Sequence, residues 1–489
     1  MNAADTPSRC AHSAAPGPAL DPKRTLRAHH LFTMLVGTII GVGWIIALGS
    51  WIGTAGPVGA MLAFFGGAAV MTLIGLCFAE LMTMFPDSGG TIAYAYEAFG
   101  PLMAFAAGWL LLISYIATNA YFMITLPWLL DAFSPDIGGP ALYSIFGVEV
   151  RAGHAAIGVA MAVLLAYINH RGAAMAARLQ DLLVGFKMLM AAALVAGGIW
   201  GGTSVNLSPM FASADFSGAM AGIGIVLVTT PFWFAGFDVL PQALRERAPG
   251  LQLRHIGTII ILATCTAFIF YAAIILAATM LVPRGELLSF ALTTYTAFKA
   301  GFGSGILAQL VLLAGLFGIA TAWNAFIFSS ARLLQVLSEG HLIPPLFAPR
   351  HVQFRTPTRA IALVTALGIG LGLLGRNAVD PLIAAASITL VLVFVIVCLG
   401  LIRLRATRPD HPRPYRVPGG LALPAGAVLL SVALVVLAGI EPFSNPARLP
   451  VEWILVLGWT VLGGGVWWFT RHVRGRVTEA ARRDLLTQA

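Results

Sequence analysis

The sequence predicts an all-α polytopic membrane protein with about twelve transmembrane helices, on three observations. The first is composition. Of 489 residues, 58% are hydrophobic and only 10% are charged, which is outside the range of soluble domains. The second is a succession of apolar stretches of the ~20 residues that a helix needs to cross the hydrocarbon. The third is that two of these stretches are broken near their centres: one at Gly37, Gly41, Gly43 and Gly49, the other at Pro231, Gly236, Asp238 and Pro241. A helix in lipid must satisfy its own backbone, so broken backbone at that depth lines a cavity or is buried in protein.

The spans are expected at roughly 31–52, 57–84, 101–130, 153–169, 179–200, 218–244, 255–281, 305–337, 358–375, 378–402, 421–440 and 451–470. Spans three and eight are unusually long. The first ten divide into two sets of five, and an odd number of spans per set forces the copies into opposite topology. Residues 31-404 therefore form a ten-helix inverted-repeat transport core with discontinuous helices 1 and 6, of which 31-201 and 217-404 are the two repeats. Residues 405-472 hold the two extra helices, 11 and 12. Residues 1-30 are polar, rich in Pro and Ala, and read as a disordered cytoplasmic N-terminal tail. Residues 473-489 form a cytoplasmic C-terminal tail. The segment Pro86 to Gly100 is too polar to span and is expected along the cytoplasmic surface, and Gly285 to Gly301 as a short external helix over the outer mouth.

The net charge of +9 follows topology rather than a nucleic-acid surface. Of the 29 Lys and Arg residues, only Arg151, Arg284, Lys299, Arg376 and Arg448 fall in outer segments and Lys187 within a span. The rest lie on the side of both termini, which the positive-inside rule makes cytoplasmic in a multi-pass cell-membrane protein. Cys77, Cys265 and Cys398 lie in apolar spans and Cys10 in the N-terminal tail, so neither a disulfide framework nor a zinc spacing is implied. There is no nucleophile–base constellation, no HExxH and no GxxxxGK[ST] loop, which argues against an enzyme or an ATP-driven pump. No cofactor is called for. Paired breaks in corresponding positions of two halves are the sequence mark of a carrier's binding site.

Five motifs in order carry a resemblance: GTIIGVGW (Gly37 to Trp44), AELMTMFPDSGGTIAYAYEAFGP (Ala79 to Pro101), FWFAGFD (Phe232 to Asp238), SSARLLQVLSEGHLIP with TPTRA (Ser329 to Ala360), and RPYRVPGG (Arg413 to Gly420). Over residues 30–420 the chain resembles the amino acid–polyamine–organocation transporter superfamily, of the amino acid permease type. The resemblance implies the five-plus-five inverted-repeat fold and secondary transport of amino acids or related amines. The implied partners are that small molecule, protons and membrane lipid, without nucleic acid.

Candidate site residues follow from the breaks and from the resemblance. Opening the backbone over Ile40, Gly41, Val42, Gly43 and Trp44 exposes N–H groups that favour an anion such as an α-carboxylate. The alternative is that Gly37 and Gly41 serve close helix packing. The family more often has Ser or Thr at the position of Val42. Carbonyls freed at Phe234, Ala235 and Gly236 suit the α-amino group. Phe232 stands where the family places a gating aromatic, with Trp233 and Phe234 beside it, against the alternative of plain aromatic packing. Ser114, Tyr115 and Asn119 fall on span three, where the family contributes site residues, and Ser387 is a further candidate on span ten. For Asn119 the alternative is an interhelical hydrogen bond.

Lys187 lies some 12 Å inside span five by helical rise. An amine out of water is a candidate for proton exchange, and many sodium-independent family members carry a lysine here. The resemblance implies that Lys187 replaces sodium, engaging freed carbonyls of span one and hydroxyls near Ser329 and Ser330. It is a proton carrier, a permanently charged strut, or a side chain that snorkels to the interface. Asp238 either caps the second half of span six or carries a proton or gates. Glu80 reads as structural, pairing across the inner mouth. Asp181 and Glu246 sit at span ends with no special role required.

The functions left open are three. A proton-coupled, sodium-independent carrier of neutral amino acids leads. A polyamine or cationic amino acid carrier, or an exchanger, comes next, although the site region offers a distal ammonium essentially only Asp238. A non-transporting amino acid sensor belongs to a different class.

Overall fold

The computed structural model describes residues 27–86, 88–145, 147–171, 177–244, 250–288, 292–303, 305–440 and 450–487. Most of the expected N-terminal tail, with Cys10, lies outside the described residues, as do Glu246 and Arg448. Among the described residues, eleven helices are long and apolar enough to cross a membrane. In order they are Ala28–Ile46, Pro57–Met84, Pro101–Leu130, Ala152–His170, Asp181–Gly201, Phe216–Phe234, Leu253–Leu281, Ala308–Glu339, Arg376–Thr407, Ala422–Ile440 and Val451–Phe469. The ninth expected span is present as Thr358–Gly372. Its 15 residues rise about 22 Å, short of a typical hydrocarbon core.

Local sequence sets several ends. Spans two and three start with Pro57 and Pro101 in the first turn, where the missing N–H costs nothing. Gly56 precedes the first of these at φ 78°, and a Cβ there would meet the Phe211 backbone at 2.5 Å. Asp215 caps span six, accepting the Gly218 N–H at 2.8 Å. The Ser213 and Ser217 hydroxyls and that N–H hold its carboxyl well below the usual range.

Both broken spans are broken in the structure. The first runs as Ala28–Ile39, then Gly43–Ile46 and Leu48–Ala55. The sixth runs as Phe216–Phe234, then Leu240–Ala243. Spans three and eight, in helices of 30 and 35 residues, are the longest among the described helices. Spans three and ten form the centre, each 72% buried, whereas spans four and twelve, at 22% and 17%, form the periphery.

The connections depart from expectation in two places. An antiparallel hairpin, Ala141–Ile145 with Val148–Arg151, joins spans three and four; its strands are too short and polar to stand out in a hydropathy reading. The 86–100 segment contains the helix Thr91–Phe99, on which the last helix packs. Arg483 of the last helix, Glu479–Thr487, pairs with Glu97 through two 2.7 Å bonds, and the Gly89 N–H reaches Leu486 O at 2.8 Å. Glu80 is buried and paired with Arg405 and Arg413, and it also accepts the Val417 N–H at 2.8 Å. It thus locks span two to the turn between spans ten and eleven.

Candidate functional site

At the first break the chain leaves the helix at Ile40 (φ −86°, ψ 80°). The Ile40 N–H still reaches Val36 O at 2.9 Å, and Gly41 N–H turns back to Ile39 O at 3.1 Å. The helix resumes at Gly43 with no side-chain cap. Among the described residues no backbone carbonyl accepts from the N–H groups of Val42, Gly43 or Trp44. These are the orphan donors of a helix start, with the positive end of its dipole behind them. A Cβ on Gly41 would meet nothing within 4 Å, so open space lies against the break.

The carbonyls released by the same break are taken by other helices. Lys187, 2% exposed, donates its ammonium to Ile40 O and, at 3.4 Å, to Gly37 O. Tyr271 of span seven donates to Ile39 O at 3.0 Å and lies 3.4 Å from Trp233 O, so one hydroxyl sits between the two breaks. Thr294, on the Thr293–Phe302 helix that follows span seven, donates to Trp44 O.

The second break turns at Ala235 (φ −61°, ψ 142°) and Gly236 (φ 150°), a conformation that requires glycine. Gly236 also lies against span one, where an added Cβ would come within 3.2 Å of Thr38 and Ile39. Asp238 does not cap the helix that follows, whose N-cap is Val239 with no side-chain bond. Its carboxylate points back instead, accepting the Gly236 N–H at 2.8 Å and the Tyr115 hydroxyl at 2.6 Å. The reason is geometric: the break is a tight turn, so the nearest orphan donor lies behind Asp238 rather than ahead of it.

Aromatic rings close one side. The Trp233 ring lies so near Gly43 that an added Cβ would come within 2.3 Å of it. Phe232 is partly exposed and meets Tyr121 edge-on at 5.2 Å, and Trp233 meets Trp51 at 5.1 Å. Phe234 faces Phe64 and Tyr271 at 5.9 Å, so it packs within the fold.

The structure therefore brings together Ile40 to Trp44, Trp233, Ala235, Gly236, Tyr115, Asp238 and Lys187, with Phe232 at the margin. It does not bring in the other candidates. Ser114 donates to Ala386 O at 3.2 Å and Ser387 to Thr229 O at 3.4 Å, ties between span ten and its neighbours. Asn119 turns toward spans eight and nine, its Nδ2 3.5 Å from Ser330 Oγ and its Cβ 3.2 Å from a Cβ built on Gly368. Ser329 and Ser330 make no bond to Lys187. Span eight meets the first break at Gly318, where an added Cβ would lie 3.2 Å from Gly41 O, roughly 16 Å of helical rise from Ser329.

Tyr271, Thr294 and Tyr121 stand at the breaks without having been candidates from the sequence. The available signal for Tyr271 was the single tyrosine in the middle of a highly apolar span. Thr294 carried none, since its contact depends on where the Thr293–Phe302 helix docks.

A family model described as amino acid permease matches residues 28–464. The chain is 25% identical to a methylthioribose transporter of Bacillus subtilis (strain 168), covering 90% of this chain and 92% of that one. It is 26% identical to the branched-chain amino acid permease BcaP of the same organism, covering 85% and 88%. It is 28% identical to the Asc-type amino acid transporter 1 of Homo sapiens, covering 89% and 81%.

Proposed function

The chain belongs to the amino acid permease family, and from that premise we propose that it is a secondary transporter of neutral amino acids, sodium-independent and proton-coupled. The observation that carries the reading is the row of unpaired N–H groups at Val42, Gly43 and Trp44 beside open space at Gly41. They bind the substrate α-carboxylate, as a helix N-terminus binds an anion. Carbonyls at the second break receive the α-ammonium. Phe232 and Trp233 cover the bound molecule.

Neutral specificity is supported by Asp238. Each of its oxygens already accepts one bond, from Gly236 and Tyr115, so a distal substrate ammonium has to compete with those donors for that carboxylate. Sodium independence and proton coupling rest on Lys187: its ammonium occupies the Gly37 and Ile40 carbonyls, where a coupling cation would otherwise bind. Loss of its proton leaves a neutral amine that still donates but without its charge, so the bonds to those carbonyls weaken and span one loosens from span five. The two halves, 31-201 and 217-404, are inverted repeats that rock around this site, and both termini face the cytoplasm.

The test is uptake into proteoliposomes of a labelled panel of neutral, cationic and acidic amino acids, putrescine and methylthioribose. Each is offered with an inward proton gradient, an inward sodium gradient, or preloaded substrate without a gradient. Neutral amino acids accumulating with protons alone is the expected result. Uptake only after preloading makes the protein an exchanger with Lys187 as a fixed strut. Putrescine competing where alanine and leucine do not reverses the substrate assignment.

A further inference from the structure

We propose that His29, His30 and Asp181 form a binding site for a divalent metal of the zinc class, which staples the end of span one to span five.

Their ligand atoms lie within 4.8 Å of one another. The two imidazoles are consecutive residues of the first turn of span one, with ring centroids 4.0 Å apart. Asp181 comes from span five and faces His30, with Oδ2 3.9 Å from His30 Nε2. That distance is too long for a hydrogen bond, so the pair is loose as it stands. Zinc holds N and O ligands about 2 Å away, which sets them roughly 3.3 Å apart in a tetrahedron. Closing the cluster therefore draws ligand atoms now within 4.8 Å of one another in by up to about 1.5 Å.

The surroundings favour that chemistry. Two imidazoles with one carboxylate are a zinc-type donor set that leaves a fourth position for water. Thr33 donates to Asp181 Oδ1 at 2.5 Å, an outer-shell bond of the kind that orients a metal-binding carboxylate. His29 is exposed, and the His30 and Asp181 side chains are 19% and 32% exposed, so an ion has a path in. Two costs oppose binding. The His30 Nδ1 accepts the Arg27 N–H at 3.2 Å, and metal at Nε2 moves the ring proton to Nδ1 and gives up that exposed bond. The dipole at the start of span one also disfavours a cation, which the Asp181 charge offsets.

The consequence follows from position. Span five already holds span one at Ile40 and Gly37 through Lys187. A metal between residues 29–30 and 181 adds a second clamp on the same pair of helices, at the proposed cytoplasmic end. If span one must swing for release, metal applied on that side arrests the cycle. This consequence rests on the carrier reading, but the binding itself does not.

Two measurements separate these. Zinc titration by calorimetry of the purified full-length protein in nanodiscs should give one site, weakened at least tenfold in His29→Gln and in Asp181→Asn. Zinc binding that both variants retain unchanged overturns the site, whatever the protein transports. In proteoliposomes, zinc on the face of the termini should slow exchange severalfold, reversibly with a chelator, and should not do so in His29→Gln. Binding at the site with no effect on exchange overturns the staple.

Discussion

In span one, the carbonyls released by the break are taken by side chains from elsewhere, Lys187 on span five, Tyr271 on span seven and Thr294 on the helix after it. In span six, the turn is closed mainly from within, by Asp238 two residues beyond Gly236, with Tyr115 and Tyr271 as outside donors. The first break is thus left with unpaired donors, while at the second each carboxylate oxygen already holds one donor. An anion is attracted to the first, and a cation at the second has to share Asp238 with Gly236 and Tyr115. Broken backbone in lipid depth must be satisfied somehow, and the way each break meets that demand determines what remains for a ligand.

The sharpest test pairs two glycines of the first break. Gly43→Ala puts a Cβ within 2.3 Å of the Trp233 ring, whereas Gly41→Ala meets nothing. Overpacking of a buried contact costs about 1–3 kcal/mol, so Gly43→Ala should lower the melting temperature and reduce uptake more than tenfold. Gly41→Ala should melt as wild type and raise KM severalfold, because its methyl enters the space left for substrate. Equal melting losses in both would mean that the opening at Gly41 is not there.

Lys187→Ala comes next. Gradient-driven accumulation should vanish while exchange of preloaded substrate survives; accumulation at the wild-type level removes Lys187 from coupling. Tyr115→Phe follows. It strips one donor from a buried carboxylate, a loss of about 1–3 kcal/mol, and should show in thermal unfolding before it shows in substrate affinity. Tyr271→Phe removes a neutral hydrogen bond between the breaks, worth about 0.5–1.5 kcal/mol, and should slow turnover more than it changes KM. Asn119→Ala should matter least, since interhelical side-chain bonds in membranes average about 0.6 kcal/mol. A tenfold rise in KM for this variant would place Asn119 at the substrate after all.

Much of this was legible from residue order alone. Apolar runs fix the spans because length and hydropathy act locally, and Gly41, Gly43 and Gly236 mark both breaks because backbone freedom is also a local property, whereas Pro231 lies within the helix before the second break. Lys187 stood out because a charge at that depth is rare. What the chain could not disclose is which partner answers each broken group. Asn119 and Ser387 have the right chemistry on the right spans, yet helix rotation turns them to other neighbours. Asp238 has the composition of a cap but bonds backwards. Tyr271 and Thr294 come from segments far along the chain, and His29, His30 and Asp181 meet only because span five packs beside span one. Sequence by itself determined where the backbone breaks, whereas the tertiary structure alone decided what satisfies it, because hydrogen-bond partners are chosen by distance in space and hydropathy is written along the chain.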